Sequence, residues 1–285
     1  MSAVIMDGKA LSKKIRENVK KEVDTLKKKG IVPGLAVIIV GEDPGSRIYV
    51  NLKKKACEEV GMFSEEYTLE NNVSEETIKE LIQELNNSEY IHGILLQLPL
   101  PSHLNEKRLI EEILPEKDVD GIHPVNAGKL LLGQDCFVSC TPAGVMEILK
   151  EYEISIEGKE CVIVGRSNIV GKPQVHLLLK ENGTVTICHS KTKDLAEVCK
   201  RADILIAAVG KTGIIKGDMI KAGAVVIDVG INRNLETRKI KGDVEFETAV
   251  EKASYITPVP GGIGPMTIAM LLKNTLKACE AKYII

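Results

Sequence analysis

Apolar positions along the chain fall into two alternating patterns. Leu11, Ile15, Val19, Val23 and Leu26 recur every three or four residues, which predicts an amphipathic helix over 7–29, capped by Asp7 and stopped by Gly30. Gly34 to Val40 is an unbroken apolar run, the mark of a buried strand, and ends in the turn Gly41-Glu-Asp-Pro-Gly45. Ser46 is placed to cap a second helix running to Val60 and closed by Gly61. Ser74, followed by Glu75 and Glu76, opens a third helix with Ile78, Leu81, Ile82 and Leu85 on one face. Ile91 to Leu98 reads as a second buried strand, broken by Pro99 and Pro101. Fully apolar strands alternating with helices imply a parallel sheet covered on both faces.

A loop-rich stretch over about 115–142 holds Pro115, Pro124 and Pro142 and suggests a domain boundary near Cys140-Thr-Pro142, with a helix over 142–152 as connector. Beyond it the alternation is cleaner. Strands are expected at Cys161–Val164, Thr184–Cys188, Ile204–Val209 and Val225–Val229, with helices at Val170–Glu181 and Thr192–Lys200. Thr267 is placed to cap a last helix carrying Ile268, Leu271, Leu272, Thr275 and Leu276, which returns to pack on the first domain. The expected fold is therefore α/β in two domains: residues 1–140 with 268–285, and a Rossmann-type unit over 141–267.

Composition narrows the function. The chain has 285 residues, a formal net charge of -2 and 3% aromatic residues with no Trp, so no basic or base-stacking surface points to nucleic acid. The apolar run at the start is too short for a signal peptide, and no stretch approaches the roughly 20 apolar residues of a membrane span. Seven Cys without a C-x-x-C pair suggest reduced thiols in a cytoplasmic protein, and no zinc or other metal site is expected.

Strand 161–164 runs into Gly165-Arg-Ser-Asn-Ile-Val-Gly171 and then a helix, a spacing close to G-x-G-x-x-G but with Ser167 at the middle position. Alone, this also fits a plain strand–turn–helix. Placed after a buried strand and before further β-α units, it suits a phosphate at a helix N-terminus. About 20 residues on, where an NAD site usually carries Asp or Glu for the ribose hydroxyls, the chain reads Cys188-His-Ser-Lys-Thr192. With no carboxylate there, and with Arg166, Ser190 and Lys191 to receive a 2'-phosphate, the sign of the charge favours NADP over NAD. A solvated strand end is the plainer account of His189 and Lys191 taken singly.

In the first half, Tyr49 and Lys53 are four apart and share a helix face just after a Gly/Pro turn, at the edge where ligands bind in open α/β sheets. Lys53-Lys54-Lys55 equally fits a solvated face. Gln97, polar at the end of an apolar strand, is either an edge feature or aimed at a ligand, and Pro99 and Pro101 fix the chain's exit. Asp118-Val-Asp-Gly121 is either a bare acidic turn or a carboxylate for a ligand edge with two parallel N–H donors; nothing near it completes a metal cage. Thr257 to Thr267 holds three Pro and three Gly, which makes a rigid loop where backbone approaches a ligand closely.

Together these segments resemble the bifunctional methylenetetrahydrofolate dehydrogenase/methenyltetrahydrofolate cyclohydrolase family, the FolD type. The matching pieces are Tyr49-x-x-x-Lys53, Gln97-Leu-Pro-Leu-Pro101, Asp118-Val-Asp-Gly121, Cys140-Thr-Pro142, Gly165 to Gly171, Asp228-Val-Gly-Ile-Asn232 and Thr257 to Thr267, in order and across nearly the whole chain. Ser139 stands where the family often has Pro, and Ile263 where Val is common. The resemblance implies a cytoplasmic homodimer of one-carbon metabolism serving purine biosynthesis, with a catalytic folate domain and a Rossmann NADP domain around a folate cleft. Methylenetetrahydrofolate would give a hydride to NADP+, and the methenyl product would be hydrolysed to formyltetrahydrofolate. Lys53 matches the catalytic lysine, Tyr49 and Gln97 its partners, Leu98 a neighbouring substrate contact, and Asp120 the pterin-binding carboxylate. Gly165, Arg166, Ser167, Ser190 and Ile231 match cofactor contacts; Pro260, Gly261, Gly262 and Gly264 match the substrate-side loop.

The chemistry suits those roles. Hydride loss is assisted by an adjacent amine lone pair and needs positioning above all. Hydrolysis needs proton transfer, and a free lysine, with pKa ~10.4, is a poor base until desolvation beside a cationic ligand favours the neutral amine. Two other readings stay open on the residues alone: a lysine-dependent amino- or hydroxy-acid dehydrogenase, and a folate- or nucleotide-binding module without turnover. A folate dehydrogenase lacking the hydrolase step is a third.

Overall fold

The computed structural model describes residues 3–233 and 239–283. In chain order the elements are β1 Val4–Ile5, α1 Gly8–Lys27, β2 Gly34–Val40, α2 Pro44–Val60, β3 Phe63–Leu69, α3 Glu75–Asn87, β4 Gly93–Leu96, α4 Glu106–Glu111, α5 Pro124–Leu131 and α6 Cys140–Glu151. They continue with β5 Glu160–Val164, α7 Gly171–Lys180, β6 Thr184–Cys188, α8 Leu195–Cys199, β7 Ile204–Ala207, β8 Val225–Asp228, β9 Asn232–Arg233, β10 Ile240–Lys241, α9 Phe246–Ala249, β11 Tyr255–Ile256 and α10 Ile263–Tyr283. The chain divides into two compact units, one of Ser139–Thr267 with the N-terminal stretch to Ser12, the other of Lys13–Val138 with the C-terminal stretch from Ile268.

The second of these is built on a three-stranded parallel sheet ordered β3-β2-β4. Every residue of β2 is buried, as its apolar run requires for a central strand. Ala36, Ile38 and Val40 pack with Ile78, Ile82 and Leu85 of α3 and Leu109 of α4 to form its core. β3 shows no strand pattern in its sequence because Phe63-Ser-Glu-Glu-Tyr-Thr-Leu69 is an edge strand with two adjacent Glu and no continuous apolar run. The stretch over 115–142, expected as loop, contains α5: His123 Nδ1 accepts the Val125 N–H at 3.0 Å and Pro124 supplies the first helical residue.

The other unit is a six-stranded sheet ordered β1-β11-β8-β7-β5-β6, parallel throughout. Its core gathers Val162, Val164, Leu205, Ala207, Val226 and Ile256 from the strands with Ile215 and Ile220 from the connections. The sequence reading put residues 1–140 in one domain, but β1 pairs in register with β11, Val4 opposite Tyr255, which attaches the N-terminal stretch to the later sheet. The backbone hydrogen-bonding demand of that otherwise exposed edge is the physical reason. α10 begins at Ile263, one turn before the expected cap Thr267, and its residues from Ile268 onward belong with Lys13–Val138. α8 is shorter than the expected 192–200 because Asp194 adopts a left-handed conformation (φ 50°) immediately before it.

The start of α2 also departs from expectation. Asp43, three residues ahead of Ser46, is the cap: its Oδ2 accepts the Ser46 N–H at 2.7 Å, and Pro44 follows in the first turn. That hydrogen bond holds the Asp43 carboxyl below the usual carboxylate range. Asp43→Ala is expected to cost ~1 kcal/mol of stability and to lower Tm by a few degrees, read by thermal unfolding. Ser46→Ala, by contrast, leaves the capping carboxylate in place and is expected to lower Tm less.

Candidate functional site

Parallel strands deliver their loops to one edge, and in the β3-β2-β4 sheet that edge is where the polar side chains gather. α2 leaves β2 through Gly41–Asp43, so Tyr49 and Lys53 stand one helical turn apart above the carboxyl end of β2. Lys53 is buried, at 9% exposure, on the helix side turned inward with Val50, Ala56 and Cys57. Gln97 continues β4 and is pinned there by its N–H to the Ile38 carbonyl at 2.8 Å. Because β2 and β4 are neighbours in the sheet, these two loops meet: Lys53 Nζ donates to Gln97 Oε1 at 2.9 Å. Gln97 Nε2 in turn donates to the Leu98 carbonyl at 2.7 Å, just before the cis Leu98–Pro99 bond. Tyr49 is half-buried, and burial raises its phenol pKa further above the neutral range.

The two aspartates of the acidic turn have different surroundings. Asp118 is buried; its carboxylate accepts the N–H groups of Ile122 at 3.2 Å and His123 at 2.8 Å, and the Asn126 side-chain amide at 2.8 Å. Burial pushes its carboxyl up to about 6 against the opposing pull of those donors. Asp120, on the same turn, is half-buried. Gly121 completes the turn at φ 70°. The turn packs onto β4 at Gly93, where an added Cβ would meet Val119 Cγ1 at 2.6 Å. It is also tied to the last helix by Asn274, whose amide donates to the Val119 carbonyl at 2.8 Å. The Asp118–Gly121 turn is legible in the sequence, though not that Asp118 is its buried member, and Asn126 and Asn274 carry no motif. A lone Asn on the apolar face of α10 was the available signal.

In the six-stranded sheet the Gly165–Gly171 turn follows β5 directly. Gly165 has φ 131°, and a Cβ there would strike the Ala208 carbonyl; one on Gly171 would strike the carbonyl of Gly165. Both glycines are thus required by close backbone approach. Ser167, where a middle glycine was expected, accepts the Val170 N–H at 3.1 Å and so orders the entry to α7. Arg166, Ser167, Asn168 and Ile169 are exposed around this turn, which is the form of a phosphate cradle at the start of a helix. β6 lies beside β5, with Val164 opposite Cys188 and the Gly165 N–H on the Cys188 carbonyl at 2.9 Å, so Arg166 and Ser190 lie two residues or fewer past paired positions. The turn after β6 is closed by His189 N–H to Thr192 Oγ1 at 2.8 Å and Lys191 N–H to His189 Nδ1 at 3.1 Å, leaving Ser190 and Lys191 exposed.

The Pro/Gly loop belongs to the same unit. It contains the cis Val259–Pro260 bond and Gly261 at φ 109°, and its Gly261 carbonyl accepts the Lys9 N–H at 2.9 Å. Gly262 has no room for a Cβ beside Thr257 and the Pro258 carbonyl. Gly264 faces Ile231, whose Cδ1 lies 3.3 Å from where a Cβ would stand. The predicted residues therefore form two sets: Tyr49, Lys53, Gln97, Leu98 and Asp120 in one unit, and Gly165, Arg166, Ser167, Ser190, Ile231, Pro260, Gly261, Gly262 and Gly264 in the other. Among the described residues no cluster of three or more His, Cys, Asp or Glu side chains is arranged to hold a metal ion.

The model of the tetrahydrofolate dehydrogenase/cyclohydrolase catalytic domain matches residues 6–120, and that of the tetrahydrofolate dehydrogenase/cyclohydrolase NAD(P)-binding domain matches 139–283. The bifunctional protein FolD of Acetivibrio thermocellus is 63% identical over 280 residues, 98% of each chain. The structure of the bifunctional FolD enzyme from Campylobacter jejuni superposes with a TM-score of 0.97 at 52% identity, over 99% of this chain and 100% of that one. That of the Trypanosoma brucei enzyme, solved with NADP cofactor and an inhibitor, gives 0.97 at 40% identity over 100% of both.

Asp118 generates a test in its own right. Its pKa is raised from 3.8 to about 6 on folding, so its contribution to stability is fully present below 3.8 and is lost as pH rises through about 6. The difference in unfolding free energy between wild type and Asp118→Asn is therefore expected to move in favour of wild type as pH falls from 7 to 4. Denaturant titrations at each pH check this; a pH-independent difference contradicts it.

Proposed function

We propose that this chain, which belongs to the tetrahydrofolate dehydrogenase/cyclohydrolase family, is a bifunctional one-carbon enzyme that oxidises 5,10-methylenetetrahydrofolate with NADP+ and hydrolyses the resulting 5,10-methenyltetrahydrofolate to 10-formyltetrahydrofolate. The observation that carries this reading is the hydrogen bond from the buried Lys53 to the half-buried Gln97, one helical turn from Tyr49, in a chain that matches a bifunctional relative over 98% of its length.

The bound nucleotide supplies a two-electron acceptor. For this step the chain provides position. The Gly165–Ser167 turn, Arg166, Ser190 and Ile231 would hold the nucleotide, with Arg166 and Ser190 suited by charge and hydrogen bonding to its phosphate groups. Asp120 accepts two N–H bonds from the pterin's aminopyrimidinone edge, and Leu98 with Pro260, Gly261, Gly262 and Gly264 bounds the substrate. The exposed turn over 166–169 at the start of α7 fits such a group, while Gly165 and Gly171 are required by the close approach of the chain's own backbone.

Hydrolysis is carried by Lys53. Its amine takes a proton from the water whose oxygen bonds to the methenyl carbon; as the bond from that carbon to N5 breaks, N5 gains a proton, the adduct hydroxyl gives up its own to become the formyl carbonyl, and one proton leaves to solvent. Gln97 suits this role because an amide oxygen accepts an N–H from an ammonium or from a neutral amine, so the side chain keeps its aim through the proton cycle. Tyr49, kept as a neutral phenol by burial, is available as a donor beside it. A lysine-dependent amino-acid dehydrogenase gives no use for Asp120 or for the Pro/Gly loop. Among the described residues no helix is long and apolar enough to cross a membrane. We place the enzyme in the cytoplasm as a homodimer, its formyl product a one-carbon donor of the kind purine biosynthesis consumes. Light scattering giving a single chain mass would remove the dimer from this account.

Incubation with methylenetetrahydrofolate and NADP+, following NADPH and the absorbing methenyl species together, tests the whole reading. NADPH without methenyl build-up is expected. Accumulated methenyl would leave a dehydrogenase alone, and neither signal would leave a binder. Lys53→Met is expected to reduce hydrolysis of supplied methenyltetrahydrofolate by about 100-fold or more while NADP+ affinity, measured by titration, stays within about twofold. Equal losses in both would remove Lys53 from the chemistry. Arg166→Ala is expected to weaken NADP+ by about tenfold or more and NAD+ hardly at all. An unaltered preference between the two would discard the charge argument.

A further inference from the structure

Among the second-half strands β5 comes first in the chain, yet in the sheet it lies between β6 and β7. The connections from β5 and β7 thus leave in opposite directions, which makes the carboxyl ends of these two strands the kind of switch point where open α/β sheets take their ligands. The ends are tightly apposed there, since a Cβ on Gly165 would strike the carbonyl of Ala208. On the β7 side lies the turn Val209-Gly-Lys211, and its backbone N–H groups converge on one side chain. Asp243 Oδ2 accepts from Val209 at 2.6 Å and Gly210 at 2.9 Å, and Oδ1 accepts from Lys211 at 2.9 Å. Oδ1 also accepts the Asn232 side-chain amide at 2.8 Å, which ties in the loop after β8 that carries Ile231.

Asp243 is wholly buried and is itself held in place. Its N–H donates to Asp228 Oδ1 at 2.9 Å, and the Asp228 carboxylate also accepts the Gly230 and Val244 N–H groups, both at 2.9 Å. Gly230 leaves the space Asp243 fills, for a Cβ there would run into its carboxylate. Four donors meet the carboxylate, two on each oxygen. An amide of the same shape offers one oxygen and turns an NH2 toward two of the donors.

We propose that Asp243 is a positioning residue for the nucleotide-dependent step, acting through the Val209–Lys211 turn and the Ile231–Asn232 segment without touching the nucleotide. The inference rests on the nucleotide lying at this edge, as argued above. It assigns Asp243 to one of the two reactions, because hydrolysis of a supplied methenyl substrate consumes no nucleotide.

Asp243→Asn in the full-length protein is the test. The KM for NADP+ is expected to rise about tenfold or more. Hydrolysis of supplied methenyltetrahydrofolate should keep its kcat and KM within about twofold. A purely structural role would lower both activities together, in proportion to the folded fraction read by circular dichroism, and that result overturns the proposal. Should this variant not fold, Asn232→Ala removes one donor and keeps the carboxylate; a rise of about threefold in NADP+ KM with hydrolysis intact supports the role, and an unchanged KM overturns it. Direct titration of wild type with NADP+ separates the two layers. Binding by wild type with an unaltered KM in the variant defeats the positioning role alone, and no binding by wild type defeats the nucleotide reading together with it.

Discussion

Backbone N–H groups in loops that leave buried parallel strands have no strand to pair with, and burying them unpaired costs more than either unit can spare. This chain meets that constraint with aspartates sunk beneath the loops. Asp118 takes the N–H groups of Ile122 and His123 under the turn that presents Asp120. Asp228 takes those of Gly230, Asp243 and Val244, and Asp243 takes those of Val209, Gly210 and Lys211. The solution is not free of cost: burial raises Asp118 and Asp228 to about 6, more than their donors pull down. The carboxylates are nonetheless the charged form at neutral pH, and a charged acceptor makes stronger bonds to N–H than a neutral one.

The consequence is a division of labour between adjacent residues of one type. Asp118 and Asp120 are two positions apart, yet one points into the fold and orders the turn while the other is left half-buried at its edge. Lys53 and the exposed Lys54 and Lys55 differ in the same way, and the helix phase decides it: Lys53 shares its face with Val50, Ala56 and Cys57. Chemistry at this edge therefore depends less on which side chains are present than on which of several like ones the backbone turns inward.

That dependence marks what the sequence makes legible. Continuous apolar runs at Gly34–Val40 and Cys161–Val164 mark central strands because burial on both faces leaves no polar position. β3 escaped because an edge strand tolerates Glu65 and Glu66, and β1 because two residues carry no periodicity. Spacing alone put Tyr49 and Lys53 on one face, but only the pairing of β2 with β4 brings Gln97 to Lys53 across 44 residues of sequence. Asp43 was passed over in favour of Ser46 because Pro44 can begin a helix as readily as precede one. Asp243 lies in a stretch with no apolar pattern to flag it, and its role exists only where the loops after β7 and β8 converge on its carboxylate.

On the proposed site assignment, nucleotide choice would follow from the same register. Pairing of β5 with β6 sets the residue after Gly165 and the residues after Cys188 at the same level of the sheet. The hydrogen bonds among His189, Lys191 and Thr192 fold the β6 exit tightly on itself, so that Ser190 and Lys191 face solvent near the turn that carries Arg166. A carboxylate at that exit would offer two acceptors to ribose hydroxyls and repel a phosphate; a hydroxyl flanked by cations does the reverse. The strand itself is indifferent to which is present, since both side chains would stand beyond its last hydrogen bond. On the proposed assignment, selectivity for the 2'-phosphate would rest on one or two exposed positions whose placement, though not their charge, is dictated by the fold.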